Sequence, residues 1–170
     1  MATTAHVNPT VAGFSLIELL ITLSVAAIVL GISAPALQGF TARQALISAS
    51  NSLVTGLQLA RYQAITSGSA VRLCPAHESG GCADRTAWSH GWLVQPETSA
   101  TLPVQHRGQL PAGMTVSLSQ GRQHVRFLPD GRSPGTNLTL QVCSRSLAAR
   151  QIIISNSGRV RSGPISTMPC

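Results

Sequence analysis

The sequence contains no lysine and few acidic residues, and both shortages limit what the chain can do. All 12 cationic residues are arginines, against five acids in 170 residues. Neither the His-Glu-x-x-His zinc motif nor a phosphate-binding glycine loop is present. The histidines of the C-terminal part lie in unrelated contexts. We therefore expect no enzyme, no catalytic residue, no cofactor and no metal centre.

Charge is missing altogether from one long segment, which runs from Leu19 to Ala42. As a helix, with its rise of about 1.5 Å per residue, this segment is long enough to cross the roughly 30 Å hydrocarbon core of a membrane. Gly31 and Pro35 interrupt the apolar run, and a proline inside a helix removes a hydrogen bond and kinks the chain. The charge-free segment predicts a single membrane-spanning helix.

The helical pattern continues beyond the apolar segment as an amphipathic face. Apolar residues recur there at steps of three and four: Ala42, Leu46, Ala49, Leu53, Leu57, Ala60 and Ala64. Gly68 follows in a Ser-Gly-Ser turn. We predict one helix from about Phe14 to Ser67, whose second half packs on a globular domain.

The rest of the chain has the pattern of short strands separated by Gly, Pro and Asp clusters. Strands are predicted at residues 70–74, 88–94, 114–118, 124–128, 138–142 and 151–155. Several short strands after one long helix predict an α+β fold, in which an antiparallel β-sheet covers the amphipathic half of the helix.

Four cysteines predict disulfide bonds if the C-terminal part is exported, because compartments outside the cytoplasm are oxidising. Four cysteines allow three pairings. We favour Cys74–Cys82, which closes a short loop rich in Gly and Pro, together with Cys143–Cys170, which ties the last residue back to the domain. A zinc site that uses His77 is the alternative.

One carboxylate lies near the start of the apolar segment. Gly13 precedes Phe14, and Glu18 is the fifth residue after Gly13. An ionisable group in lipid is costly and therefore indicates a function. The pattern resembles the processing site of type IV prepilins and type II secretion pseudopilins. Leaders in that family usually carry Lys or Arg, whereas residues 1–12 of this chain carry neither.

The resemblance implies how the chain is processed and where it goes. A prepilin peptidase and methyltransferase would cut after Gly13 and methylate the new N-terminal Phe14. The chain would then consist of three segments: a leader (1–13), a transmembrane and filament-core helix (14–42) and a periplasmic β-rich head (43–170). The protein would cross the inner membrane once before it joins other pilins in a pilus or pseudopilus. There Glu18 would pair with the Phe14 amine of a neighbouring subunit.

A second short motif lies in the C-terminal tail. Arg159 and Arg161 are two residues apart, so in extended backbone both side chains project from one face, about 7 Å apart. This is the spacing of successive phosphates on one nucleic-acid strand, and guanidinium groups form charge-assisted bonds to phosphate. Gly158 allows the backbone to approach closely. Arg145 and Arg150 are the best candidates to extend a basic surface. The alternative is an edge strand with two solvated arginines.

The tail resembles the Gly-Arg-x-Arg motif of FimT-like minor pilins, which bind DNA during natural transformation. From Arg43 onward, twelve arginines against four acids give a formal charge of +8, which favours an anionic partner. Aromatic stacking platforms are not evident, so we expect contact with the backbone of double-stranded DNA and little sequence preference. One alternative is a GspH-type pseudopilin of type II secretion, with a structural and protein-interaction role. Another is a minor pilin that primes pilus assembly or adhesion without DNA contact.

Overall fold

The computed structural model describes residues 13–78, 80–83, 87–97, 106–135, 137–144 and 148–166. The chain divides into two compact units, residues 1–40 and 41–170. One helix, α1 (Leu16–Ser67), contributes residues to both units. In the described residues the first unit contributes only this helix and the short segment before it, whereas the second contains all the strands.

The N-terminal unit presents an exposed apolar helix. The Ser15 hydroxyl accepts a hydrogen bond from the N–H of Glu18 at 3.3 Å, which caps the first turn of α1. Leu16–Ser33 is apolar and long enough to cross a membrane, judged by length and by its mean hydropathy of 2.4. Its large apolar side chains are all more than half exposed, and Phe14 is 86% exposed. Apolar surface on this scale marks a contact with lipid or with other proteins.

The second half of α1 buries one face in the head. The buried residues follow the predicted steps of three and four, and each is at most 3% exposed: Leu46, Ala49, Leu53, Leu57, Ala60 and Ala64. Ala42, at the start of the predicted face, is only half-buried. The prediction of one helix from about Phe14 to Ser67 is confirmed to within two residues.

The described part of the head contains nine strands. They are β1 (Val71–Pro75), β2 (Ala87–Trp88), β3 (Trp92–Pro96), β4 (His106–Gly108), β5 (Met114–Leu118), β6 (Val125–Phe127), β7 (Leu138–Ser144), β8 (Ala149–Ile154) and β9 (Val160–Ser166). A four-stranded sheet has the order β4-β3-β1-β6, and a five-stranded sheet has the order β2-β5-β7-β8-β9. All neighbouring strands pair antiparallel. β9 is therefore an edge strand of the larger sheet.

Both sheets and the second half of α1 share one hydrophobic core. Trp88, Trp92 and Phe127 are its largest fully buried side chains. Burial of one such side chain stabilises the fold by about 1.5–3 kcal/mol. A Cβ at Gly56 would lie 2.5 Å from the indole Nε1 of Trp92, so the helix packs closely on the four-stranded sheet at that point. This packing fixes both sheets, and with them β9, relative to the second half of α1.

The predicted α+β class is confirmed, but two sheets replace the single sheet that the pattern predicted. The predicted strand 88–94 is divided: β2 ends at Trp88 in one sheet and β3 starts at Trp92 in the other. Gly91 lies between them with φ of 90°, a left-handed conformation that favours glycine. A Cβ at Gly91 would also overlap the carbonyl oxygen of Gly108. The chain therefore changes sheet at a position where only glycine fits.

A disulfide joins Cys74 to Cys82, whose Cα atoms are 5.6 Å apart, and closes the loop after β1. Because these sulfurs are bonded to each other, they cannot serve as thiolate ligands in the alternative zinc site. Cys143 is also disulfide-bonded. Its predicted partner, Cys170, lies outside the described residues, so that pairing stays a prediction.

Candidate nucleic-acid interface

Arg159 directly precedes β9 and Arg161 is the second residue of that strand, which the sequence pattern did not predict. Arg159 and Arg161 are exposed, whereas Val160 between them is half-buried and packs against the core. The two guanidinium groups therefore project away from the core on the same side of the strand. Neither side chain has an ion-pair or hydrogen-bond partner among the described residues. Both are free to bind an anion.

A tight turn between β8 and β9 holds Arg159 in place. The N–H of Gly158 donates to the carbonyl oxygen of Ser155 at 2.8 Å, and the N–H of Ser155 donates to the carbonyl oxygen of Arg159 at 3.0 Å. The Ser155 hydroxyl accepts a further hydrogen bond from the N–H of Arg159 at 3.1 Å. The backbone of Arg159 is thus fixed while its side chain stays free.

Gly158 is buried and shapes this turn. Its φ of 79° is left-handed, and a Cβ would overlap the carbonyl oxygen of Gly131. The same Cβ would lie 3.1 Å from Nε of Arg61, a residue of α1. Gly158 was predicted to let the backbone approach a ligand, but the close approach that the structure contains is to Gly131.

Arg61 supports the turn from the helix side. Its Nη2 donates to the carbonyl oxygen of Ser157 at 3.3 Å. Its Nε is buried and has no hydrogen-bond partner in the described residues. Arg61 lies outside the apolar face of the helix, and nothing in its spacing indicates a contact with residue 157. Only the tertiary packing of α1 on the five-stranded sheet brings the two together.

Arg150 is half-buried and uses its guanidinium group inside the protein. Nε donates to the carbonyl oxygen of Gly163 at 3.0 Å, and Nη2 donates to the hydroxyl of Ser162 at 3.2 Å. Nη1 donates to Oδ1 of Asn51 on α1 at 3.3 Å. The β8–β9 register shifts between residues 150 and 152, where Arg150 fills the irregularity. Arg150 therefore connects β8, β9 and α1.

The loop between β6 and β7 lies beside the Arg159 turn. The N–H of Ser133 donates to the carbonyl oxygen of Asn156 at 3.1 Å. Asp130 accepts hydrogen bonds from the N–H and Nε of Arg132, at 3.0 and 2.6 Å. These bonds hold the pKa of Asp130 below its usual range, backbone contribution first. The only carboxylate of this loop, that of Asp130, is thus paired with Arg132 and does not pair with the side chain of Arg159.

The remaining predicted site residues fall elsewhere. Gly13, Phe14 and Glu18 lie at the exposed N-terminal end of the first unit. Arg145 lies outside the described residues. The structure thus brings Arg159 and Arg161 together on one edge and gives Arg150 and Gly158 supporting positions under them.

A long N-terminal helix with an exposed apolar first half, and a second half buried against antiparallel sheets, defines a pilin-like protein. The chain belongs to the GspH family. Residues 49–158, well over half of the chain, match the family described as type II transport protein GspH. Residues 9–34 match the prokaryotic N-terminal methylation motif. The resemblance to FimT- and GspH-like minor pilins is confirmed.

Proteins similar to this chain come from both pili and secretion systems. Type II secretion system protein H of Xanthomonas campestris pv. campestris is 27% identical over 164 residues, 91% of this chain and 85% of the relative. Minor pilin FimU of Pseudomonas aeruginosa is similar in two crystal forms. One has a TM-score of 0.59 and 26% identity over 74% of this chain and 92% of FimU. The other has a TM-score of 0.56 and 21% identity over 69% and 91%. The family is one of structural proteins that associate with other pilins in a filament.

Proposed function

We propose that this protein is a minor type IV pilin whose head binds double-stranded DNA for uptake during natural transformation. The observation that carries the proposal is the pair of free, exposed guanidinium groups of Arg159 and Arg161 on one side of an edge strand. Both would contact phosphates of the DNA backbone. Such contacts position a protein on DNA but do not select a sequence.

The positions of the aromatic residues support binding through phosphates. Trp88, Trp92 and Phe127 are fully buried in the core, so they are not available to stack on bases. Tyr62 is 64% exposed but lies on α1. With few aromatic platforms in the described head, we expect similar affinity for all duplex sequences and a strong dependence on salt.

The N-terminal methylation motif, which supports a proposal for processing and assembly, spans Gly13, Phe14 and Glu18. We propose cleavage after Gly13, methylation of Phe14 by a prepilin peptidase and methyltransferase, and a periplasmic head. Glu18 would pair with the Phe14 amine of a neighbouring subunit, because a buried charge without a partner costs several kcal/mol. The exposed apolar first half of α1 supports an inner-membrane anchor before assembly and a filament core afterwards.

We propose no catalytic role. Residues 131–135 (Gly-Arg-Ser-Pro-Gly) share the letters of the Gly-x-Ser-x-Gly nucleophile elbow. That elbow joins a strand to a helix and exposes its serine. Here the segment joins two strands, and Ser133 is 6% exposed. The geometry supports a loop that packs beside the Arg159 turn.

A second candidate function is that of a GspH-type minor pseudopilin, with a structural and protein-interaction role in type II secretion and no DNA contact. The match to the GspH family and the likeness to the Xanthomonas secretion protein support it. This candidate requires no function for the free guanidinium pair. The two candidates therefore differ in what they predict for DNA binding.

The test is a mobility-shift or anisotropy titration of the oxidised head, from Thr41, with a random-sequence duplex at two salt concentrations. Arg159→Gln/Arg161→Gln is compared with Arg43→Gln/Arg107→Gln, which removes the same charge at exposed positions elsewhere. We expect the first variant to lose at least about tenfold in affinity, and its log–log salt slope to fall by roughly 1.8. The control variant should retain most of the binding.

Two outcomes would contradict the proposal. Equal losses in both variants would mean that binding reflects net charge and not the tail. A folded wild-type head that does not bind DNA would favour the pseudopilin, or a minor pilin that primes assembly without DNA. Arg159 and Arg161 would then be solvated residues of an edge strand.

A further inference from the structure

A cationic groove lies on the head at the end of the four-stranded sheet, apart from the Arg159–Arg161 pair. It has a volume of about 400 Å³ and is open to solvent. Its lining residues are Gly121, Arg122, Gln123, His124, Arg126 and Pro134. Neither the sequence motifs nor the family resemblance assigns a role to it.

Arg126 at the groove faces a second arginine across the sheet. It pairs directly with Arg72 in the β1–β6 register. The residues on either side of both arginines are buried, so both side chains point away from the core. Like charges at opposite positions of a sheet repel each other and are destabilising. An anion placed between or beside them would remove that repulsion.

The anionic groups near the groove are too few to balance its arginines. Glu97 Oε2 accepts a hydrogen bond from Arg126 Nε at 2.5 Å. Arg72 donates to the Gln95 side-chain oxygen, at 2.6 and 3.0 Å with the amide oriented to accept, which adds no charge. Among the described residues, the three guanidinium groups of Arg72, Arg122 and Arg126 thus share one carboxylate, which leaves a charge of +2 while His124 is neutral.

Arg122 is held in position at the far side of the groove. Its Nη1 donates to the carbonyl oxygen of Pro134 at 3.3 Å. Its guanidinium group lies directly over Gly135, where a Cβ would overlap it. An arginine that is already ordered loses less conformational entropy when it binds a ligand.

The pKa of His124 depends on the charges around the groove. Burial lowers its pKa first, and the charge of Arg72 lowers it further, as do those of Arg126 and Arg122, while Glu97 acts in the opposite direction. A bound anion would offset the arginines, so the pKa of His124 would rise. This imidazole is therefore a reporter for anion binding.

We propose that this groove binds a phosphate group. A phosphate monoester carries about −1.5 to −2 charges near pH 7, which matches the excess charge of the groove, and two successive phosphodiesters of a DNA strand carry about the same charge. Guanidinium groups form bidentate, charge-assisted bonds with phosphate oxygens. The phosphate could be free or could belong to a DNA backbone. In the second case the site rests on the proposed function and extends it.

The loop between β6 and β7 connects the groove to the Arg159 turn. At one end Gly131 packs against Gly158. At the other end Gly135 lies against Arg122, and its carbonyl oxygen accepts a hydrogen bond from the Asn156 amide at 3.0 Å, with that amide oriented to donate. One loop therefore contacts both the groove and the Arg159 turn.

The experiment follows the His124 imidazole by NMR in the full-length protein in non-ionic detergent, with pyrophosphate as the probe. We expect saturable binding and a rise in the His124 pKa. Arg122→Gln and Arg126→Gln should each weaken pyrophosphate binding roughly tenfold, since a hydrogen bond to a charged group contributes about 1.5–3 kcal/mol. Arg107→Gln, on the same sheet but outside the groove, is the matched control and should bind normally.

The outcomes separate the proposals. An unchanged His124 pKa at high pyrophosphate, an equal response to acetate at the same ionic strength, or unchanged binding in both folded variants would overturn the phosphate site. If pyrophosphate binds and Arg122→Gln also lowers the salt slope of DNA binding by about 0.9, the phosphate belongs to DNA. Pyrophosphate binding without any effect on DNA supports a site for a free phosphate compound. The pyrophosphate measurement uses no DNA, so it stands even if the head does not bind DNA.

Discussion

Replacement of Gly158 by alanine should destabilise the head more than any other single methyl added next to the tail arginines. A left-handed φ such as the 79° of Gly158 costs an L-residue about 1–2 kcal/mol. The new Cβ would overlap the carbonyl oxygen of Gly131 and lie 3.1 Å from Nε of Arg61. Because a backbone carbonyl cannot move without strain in its own turn, we add about 1–2 kcal/mol. We therefore expect Gly158→Ala to lose about 2–4 kcal/mol in the free energy of unfolding.

Urea unfolding of the oxidised head, followed by circular dichroism, measures this loss. With a urea m-value of about 2 kcal/mol/M, the midpoint should fall by roughly 1–2 M. Gly163→Ala, in the adjacent strand β9, is the matched control, since its new Cβ would come no closer than 3.6 Å to Gln151. The control should stay within about 0.5 kcal/mol of the wild type. If the two variants unfold at the same midpoint, the assignment of Gly158 to the turn is wrong.

Two further predictions concern the four-stranded sheet. Cys74→Ala/Cys82→Ala should lower the free energy of unfolding in urea by about 2–3 kcal/mol, because the disulfide closes a loop with a sequence separation of 8 and packs with buried Leu93. A variant that unfolds at the urea midpoint of the oxidised wild type would refute this. The pKa of His124 is lower in the folded protein than the ordinary value of 6.5. As the pH falls below 6.5, His124 therefore binds a proton in the unfolded chain before it does so in the folded protein, and the free energy of unfolding decreases. His124→Gln should lose that part of the pH dependence, as measured by urea midpoints between pH 7.5 and pH 5.

The helix was predictable from sequence because its signals are local. The absence of charge from Leu19 to Ala42 and the steps of three and four up to Ala64 each depend on neighbours within a few turns. The structure places the end of α1 at Ser67, directly before Gly68 as predicted. Patterns that are read over adjacent residues need no knowledge of the tertiary fold.

The division into two sheets was not predictable in the same way. Trp88 and Trp92 are four residues apart in the predicted strand 88–94, and both are fully buried. The pattern alone predicts one strand through them. The separation depends on the left-handed φ of Gly91 and on the carbonyl of Gly108, which is distant in sequence. β9 escaped prediction because Gly163 and Pro164 are unfavourable in strands, and its pairing depends on a bulge that Arg150 fills.

Composition also did not distinguish arginines that support the fold from arginines that are free. A formal charge of +8 treats them all alike, yet the structure gives them different partners. Arg126 is paired with Glu97, Arg132 with Asp130, and Arg150 with backbone and side-chain oxygens of its own domain. What the sequence did supply was the pair Arg159 and Arg161, because a spacing of two is meaningful in any extended segment.

The contacts between β9 and its neighbours affect how a DNA-binding pilin would resist a pulling force on bound DNA. If DNA binds at Arg159 and Arg161, a pull on the DNA acts first on an edge strand, which has a hydrogen-bonded neighbour on one side only. Such a strand could peel from the sheet. Arg61 opposes this at one end, through Ser157, and Arg150 opposes it further along, through Gly163 and Asn51. Arg61 lies on α1 itself, and Arg150 binds Asn51 of α1, so both arginines connect the β9 region to that helix. The two half-buried arginines, Arg61 and Arg150, would therefore matter to a DNA-binding pilin even though neither would touch the DNA.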